Sequence, residues 1–410
     1  MSEPGAGVVI VGAGHAGGTV AGLLRQYDYA GKITLIGEEP IAPYQRPPLS
    51  KAWLKGEVDA DALALWDADV YAEQKIDLRV STVAVAIDRA GRTVTLADGE
   101  VIPYEVLILS TGARARRLSL PGSDLAGVQV LRTAADAEML KHALGPGKRL
   151  AVVGGGYIGL EAAASARALG AEAVVIEALP RILARSSCEL LSTYFTDYHR
   201  ARGVAFELGA AIEGFEGKDG HVTGVKLADG RVIACDDVVV GIGIIPNEEL
   251  ARDAGLPCIN GVVVDSAART ADEAIFAIGD VAHRPIKLYD RMFRGESVAN
   301  ALEQAKQAAC AITGRPEPRE EVTWNWSDQY DIKLQLAGID FDADALLVRG
   351  DPASNKFAVF HLRGPVVRAV EAVNAPAEFM AGKLLIGSQK PIDRAKLADP
   401  AVSMKEVAAS

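Results

Sequence analysis

A chain of 410 residues, 49% of them hydrophobic, can bury a large core and should divide into roughly two to four domains. Its formal net charge of -11 argues against nucleic acid as the main partner, because neutralising phosphates takes a basic face. The longest apolar stretches, such as residues 237–246, are strand-sized, well short of the roughly 18 residues that span a bilayer, and the start Met1-Ser2-Glu3-Pro4 is acidic and unlike a secretory leader. A cytoplasmic protein with no membrane partner is expected.

Taken in order, Val8-Val9-Ile10-Val11 reads as a buried parallel strand. Gly12, Gly14 and Gly17 follow it in the dinucleotide fingerprint: a tight turn, room for a pyrophosphate, and close helix–strand packing. A helix over residues 19–26 aims its N-terminal amides at that anion. The next strand, Ile33-Thr34-Leu35-Ile36, ends at Gly37-Glu38, about 20 residues on, where an acid can accept from an adenosine ribose. Pro47 and Pro48 impose an extended approach, and Leu49-Ser50-Lys51 should open a short helix running through Leu54. Lys51 reads either as a solvated lysine or as one facing a flavin. Residues 78–87 and 93–96, with a turn at Asp98-Gly99, suggest a small antiparallel layer, and residues 106–109 another buried strand. A helix with acids in its first turns starts near Arg132.

The opening pattern then repeats. Residues 149–153 form a strand, Gly154-Gly155-Gly156-Tyr157-Ile158-Gly159-Leu160-Glu161 turns into a helix, and the following strand ends at Glu177. Two complete strand–glycine–helix–strand–acid units point to two adenine dinucleotides. A carboxylate at Glu177 favours NADH over NADPH, although Arg181 and Arg185 leave some NADPH use open. Hairpin strands follow at 204–208, 211–216, 222–227 and 232–233, and residues 237–247, with Gly243, return the chain to the first domain. A strand stops at Gly279-Asp280 before a helix over 296–311; the aspartate suits either a plain turn or a sugar or ribityl hydroxyl. Arg284, Lys287, Arg291, Arg294, Lys306 and Arg315 make this region locally basic, as a docking face for an acidic partner or as a solvated surface. From about residue 316 the fingerprint is absent and a third, α+β domain is expected, with final helices at 375–385 and 391–397. The four cysteines, Cys188, Cys235, Cys258 and Cys310, hold no Cys-x-x-Cys pair, which excludes a zinc ribbon, an iron–sulfur site and a redox dithiol. Buried structural thiols and no metal are expected.

Gly12-Ala13-Gly14-His15-Ala16-Gly17, Pro47-Pro48-Leu49-Ser50-Lys51, Gly154 through Glu161, Gly241-Ile242-Gly243-Ile244-Ile245-Pro246-Asn247, Ala277-Ile278-Gly279-Asp280, Glu296-Ser297-Val298-Ala299-Asn300-Ala301 and Trp326-Ser327-Asp328-Gln329-Tyr330 occur in one order. By them the chain resembles, over nearly its whole length, the flavoprotein ferredoxin reductases of bacterial oxygenase systems, the group of putidaredoxin reductase and the biphenyl dioxygenase reductase. The resemblance implies an α/β fold of two Rossmann-type, glutathione reductase-like domains with a C-terminal α+β domain. An FAD domain would span 1–112 and 241–315, an NADH domain 113–240, and an interface domain 316–410. Cofactor contacts carry over to Gly12, Gly14, Ala16, Gly17, Glu38, Lys51, Ala84, Arg132, Asp280 and Val298 for FAD, with Gly243 nearby. Gly154, Gly156, Tyr157, Ile158, Gly159 and Glu177 would meet NADH. Lys51 and Glu161 would form the catalytic pair beside the flavin ring, and Trp326 would stand at its ferredoxin-facing edge. A 2Fe–2S ferredoxin is the implied acceptor, docked transiently by Trp326, Arg291, Arg294, Lys306 and Lys333 on a reductase expected to be monomeric. A thiol-independent NADH oxidase and a flavoprotein with an interaction role, like the apoptosis-inducing factors, are the rival readings. The absence of cysteine before Cys188 argues against disulfide reductases and thiol-dependent peroxidases.

Overall fold

The strand Val8–Val11 is buried at every position because it lies between parallel neighbours and under two layers. The structure, a computed structural model, describes residues 5–409; Met1-Ser2-Glu3-Pro4, read above as an acidic start, lie outside the described residues. The chain divides into two compact units, one of residues up to Gln45 with Ala60–Arg114 and Ile245–Asn325, the other of Arg46–Asp59, Ala115–Ile244 and the residues from Trp326 onward.

In the first unit the parallel sheet runs Ile275–Ala277, Val106–Leu109, Val8–Val11, Ile33–Ile36, Ile76–Arg79. Read outward from the first strand, this is the doubly wound order, whose switch point lies between Val8–Val11 and Val106–Leu109. Alternate side chains face opposite layers. Val8 and Ile10 pack with Leu24 and Ala305 from the helices His15–Gln26 and Val298–Ile312, while Val9 and Val11 pack with Val94 and Leu96 of a three-stranded antiparallel layer.

The second unit repeats the design. Its sheet runs Val204–Leu208, Glu172–Glu177, Arg149–Val153, Asp237–Val240, Val128–Gln129. Leu150 and Val152 join a core with Leu160, Phe195, Leu334 and Phe357, and Ala151 and Val153 one with Val225 and Leu227. The same unit carries a five-stranded C-terminal sheet and the helix Pro376–Ser388.

Local departures from expectation have physical causes. Residues 78–87 are not one strand: Ile76–Arg79 forms the parallel edge, the chain turns through Ser81 at a left-handed φ of 50°, and Ala84–Asp88 starts the antiparallel layer. The helix expected from Leu49 to Leu54 is instead a 3-10 turn, Pro47–Ser50, followed by further turns, because Lys51 leaves helical geometry at φ -126°, ψ -109°. The helix near Arg132 spans Ala134–Ala143 and is set by a Thr133/Asp136 capping box. Residues 46–59 lie in the second unit, together with both the 115–244 segment and the C-terminal sheet.

Candidate active site

The two glycine turns share one stereochemistry. Gly12 has φ +111°, and a Cβ there would lie 2.2 Å from the Ser110 carbonyl oxygen; Gly154 has φ +108°, with a Cβ 2.5 Å from that of Gly241. A side chain on Gly17 would meet Gly12 O at 1.9 Å, and one on Gly159 would meet Gly154 O at 2.3 Å. Gly14 has nothing within 4 Å of its missing Cβ, and Gly156 has only Gly241 O at that distance. The first and third glycines of each turn are thus required by packing, whereas the middle one borders open space, which suits a close-approaching ligand. Gly14 and Gly156 cap their helices without a side-chain hydrogen bond, and neither helix has an acid in its first turn, so the amides and dipole remain for an anion. Both cradles fit a dinucleotide pyrophosphate.

Within the first unit, Ser110 Oγ donates to Gly12 O at 2.7 Å and braces the turn. Ala16 packs against Gly279, whose missing Cβ would lie 3.0 Å from that of Ala16, which brings Asp280 to the same turn. Glu38 is exposed at its strand end, Ala84 opens the antiparallel layer, and Val298 begins a helix capped by Ser297. His15 Nδ1 is buried without a hydrogen-bond partner, and burial lowers the pKa of the ring.

The second unit holds Lys51, Arg132, Gly154, Gly156, Tyr157, Ile158, Gly159, Glu161, Glu177, Gly243 and Trp326. Glu177 is anchored by backbone: Oε2 accepts from Gly155 N–H at 2.6 Å and Oε1 from Leu179 N–H at 2.8 Å. Arg181 donates to Ser187 O at 2.9 Å, while Arg185 is exposed. Gly243 is exposed at φ +106°.

The helix Tyr157–Ala168 presents Glu161 and Ser165, one turn apart, to the prolyl segment. Ser165 Oγ donates to Ser50 O at 2.7 Å, which docks the 3-10 turn and delivers Lys51. Lys51 Nζ lies 2.7 Å from Glu161 Oε2 and 3.2 Å from Pro47 O. The carboxylate is 2% exposed, and Ser50 Oγ donates to Oε2 and Ser327 Oγ to Oε1, each at 2.6 Å. Behind it, Gln329 Nε2 donates to Ser327 Oγ at 3.0 Å, and Gln329 Oε1 lies 2.7 Å from His199 Nε2. His199 is fully buried, and that burial lowers its pKa to about 4, so it is neutral at neutral pH. Sequence reasoning gave a role to Trp326 alone in its motif; Ser327 and Gln329 are the residues that hydrogen-bond toward Glu161, and their spacing of two along Trp324–Gln329, which puts them on one face, was the available signal.

The thiols match the expectation of structural cysteines in part: Cys188 and Cys235 are buried, and burial pushes each up to about 12, far from a reactive thiolate. The basic region is corrected. Arg284 is buried against Glu303 at 2.6 Å, and Arg294, expected to dock a partner, has a side chain 8% exposed and paired with Glu296 at 2.6 Å. Arg284 serves the interior of the first unit, whereas Arg294 is a covered side chain paired with the exposed Glu296.

The profile of the pyridine nucleotide-disulphide oxidoreductase family matches residues 6–309, and that of the reductase C-terminal family residues 324–408. A probable ferredoxin reductase, CtmF, of Castellaniella defragrans is 54% identical over 98% of each chain. The chain belongs to the ferredoxin reductases of the pyridine nucleotide-disulphide oxidoreductase family. The reductase is also 43% identical to rhodocoxin reductase of Rhodococcus erythropolis, over 97% of this chain and 93% of that one. Its backbone superposes with a TM-score of 0.96, at 40% identity and over 98% of each chain, on the crystal structure of the covalent putidaredoxin reductase–putidaredoxin complex. The family uses a flavin and NAD(P)H, which the two cradles of the reductase fit. No helix among the described residues is long and apolar enough to cross a membrane.

Proposed function

We propose that the reductase takes electrons from NADH through FAD and passes them to a 2Fe–2S ferredoxin that supplies a bacterial oxygenase. The observation that carries this reading is the buried Lys51–Glu161 pair, braced by Ser50 and Ser327, in a chain with two dinucleotide cradles. A bound FAD supplies the exchange between two-electron and one-electron chemistry, which no side chain offers.

The protein's part is to bind, orient and set the field. The turn of Gly12, Gly14, Ala16 and Gly17 holds the FAD pyrophosphate, Glu38 accepts from its ribose, and Asp280 and the Val298 helix start hold the ribityl and ring end, with Ala84, Arg132 and Gly243 as further contacts. Gly154, Gly156, Tyr157, Ile158 and Gly159 receive NADH. Glu177, with both oxygens already turned by backbone amides, accepts from its ribose and repels a 2′-phosphate. Lys51 keeps a positive charge beside the flavin ring, and Glu161 is its positioning partner. Trp326 and Lys333 in the second unit, and Arg291 and Lys306 in the first, are the acceptor-docking candidates of a cytoplasmic, monomeric enzyme.

Anaerobic stopped-flow mixing with NADH or NADPH, followed by candidate ferredoxins, tests the reading. Fast flavin bleaching by NADH, slower bleaching by NADPH and rapid onward transfer to a 2Fe–2S protein are expected. Rapid oxygen consumption with no gain from ferredoxin points to an oxidase instead. Lys51→Ala should slow bleaching on the order of 10²-fold, the usual loss for one preorganised donor; an unchanged rate removes the role of Lys51.

A further inference from the structure

Cys188 belongs to a buried cluster that its sequence neighbours do not reveal. It is the N-cap of the helix Glu189–Arg200, while His361 and Glu371 stand on the paired strands Lys356–Arg363 and Val366–Val373, all in the second unit. The register pairs His361 with Ala369 and Val359 with Glu371, so the imidazole and carboxylate are diagonal neighbours on one sheet face. One ligand atom from each of Cys188, His361 and Glu371 lies within 4.8 Å of the others, and all three residues are buried.

The hydrogen bonding around Glu371 is incomplete. This carboxylate is 4% exposed; its Oε2 lies 2.9 Å from His361 Nε2 and 3.4 Å from Cys188 N, while Oε1 is buried with no hydrogen-bond partner. A buried, unmatched carboxylate oxygen calls for an explanation such as an ion. On the other side of the imidazole, Nδ1 faces Asp340 Oδ2 at 3.7 Å. In the metal-free protein Nε2–H donates to Glu371 Oε2 at 2.9 Å, and Asp340 stands where it can take the ring proton on Nδ1 once a metal displaces that bond, the outer-shell arrangement common behind metal-bound histidines. A cleft of about 440 Å³, lined by Cys188, His361 and Asp340 together with Arg181 and Arg185, reaches the cluster.

We propose that Cys188, His361 and Glu371 form a binding site for a zinc-class divalent cation, with its fourth position open to this cleft. A thiolate and an imidazole select zinc over magnesium or calcium, and the set matches three protein ligands plus one exchangeable position. On binding, the Cys188 S–H bond breaks and its proton goes to solvent, the ring proton of His361 moves from Nε2 to Nδ1, metal–sulfur and metal–nitrogen bonds form, and no electron moves. The two positive charges of the ion are balanced by thiolate and carboxylate. The competing arrangement is protein-only, with His361 Nε2–H and the protonated Cys188 thiol both donating to Glu371.

The test uses the full-length, flavin-loaded protein incubated with zinc alone and freed of loose metal by gel filtration. Elemental analysis should find about one zinc per chain, and zinc X-ray absorption should give one sulfur at ~2.3 Å with nitrogen or oxygen at ~2.0–2.2 Å. Cys188→Ser and Glu371→Gln, checked for folding by circular dichroism and flavin absorbance, should each lose the metal. No retained zinc, a shell without sulfur, or equal uptake by both folded variants overturns the proposal. Should a variant fail to fold, the parent protein decides the matter: its zinc X-ray absorption must show the one sulfur neighbour, and a shell of nitrogen and oxygen alone overturns it.

Discussion

Glu161 is removed from water yet held by an ammonium and two hydroxyls, so its charge is matched from three directions. Glu161→Gln keeps the shape but leaves the Lys51 ammonium, 15% exposed, without its counter-charge. Breaking a buried pair from one side costs about 3–5 kcal/mol, and the residual exposure of Lys51 places the loss near the low end. Urea unfolding of the flavin-loaded protein should show that loss; a midpoint equal to the parent's contradicts the burial argument. His199 adds a pH dependence. Its folded pKa of about 4 lies below the ordinary 6.5, so the unfolded chain takes up the proton first on acidification. The contribution is fully present above pH 6.5 and fades as pH falls toward 4, by an amount on the order of 3 kcal/mol. His199→Gln should flatten that acid limb in thermal melts taken across the range. Lys51 and Glu161 were legible as a pair only through their motifs. Ser327 stood in a motif and on one face with Gln329, but its partner was not legible, since Glu161 lies 166 residues away along the chain, and His199 belonged to no motif.

At the scale of elements, the strand–glycine–helix units were the most legible feature, because both constraints in them are local: β-branched apolar runs, and turns where a Cβ collides with backbone. The less legible elements were those where a single backbone angle decides, as at Ser81 and Lys51. The glycine turn separates fold from ligand in a way that two substitutions can read. Gly17→Ala drives a methyl to 1.9 Å from Gly12 O and should lower stability whether or not a flavin is bound. Gly14→Ala meets nothing within 4 Å and should fold with near-parental far-ultraviolet circular dichroism while retaining less flavin. Full flavin content in a folded Gly14→Ala protein contradicts the assignment of this turn to the FAD pyrophosphate.

For the molecule as a whole, a run of cations in the sequence leaves open which of them can face a partner. A net charge of -11 means that an acidic partner has to meet local cations, and the run from Arg284 to Arg315 reads as either their source or a solvated surface. Charge counted along the chain cannot tell a free surface cation from one already matched: Arg284 is buried against Glu303, the covered Arg294 side chain pairs with Glu296, and Lys287 pairs at the surface with Glu317 at 3.1 Å. Lys306 and Lys333 are instead exposed. Charge reversal at Lys306 should therefore lower kcat/KM for ferredoxin severalfold at low salt, whereas Arg284→Glu should unfold the first unit by burying a repulsive pair. Screening makes the association argument quantitative. The Debye length falls from roughly 30 Å at 0.01 M salt to about 8 Å at 0.15 M, so ferredoxin reduction should slow across that range. Ferricyanide reduction driven by NADH should hold nearly level for the parent and for Lys306→Glu alike, because a small acceptor needs no protein docking. A flat salt profile with ferredoxin, or an equal loss with both acceptors, removes Lys306 from the docking surface.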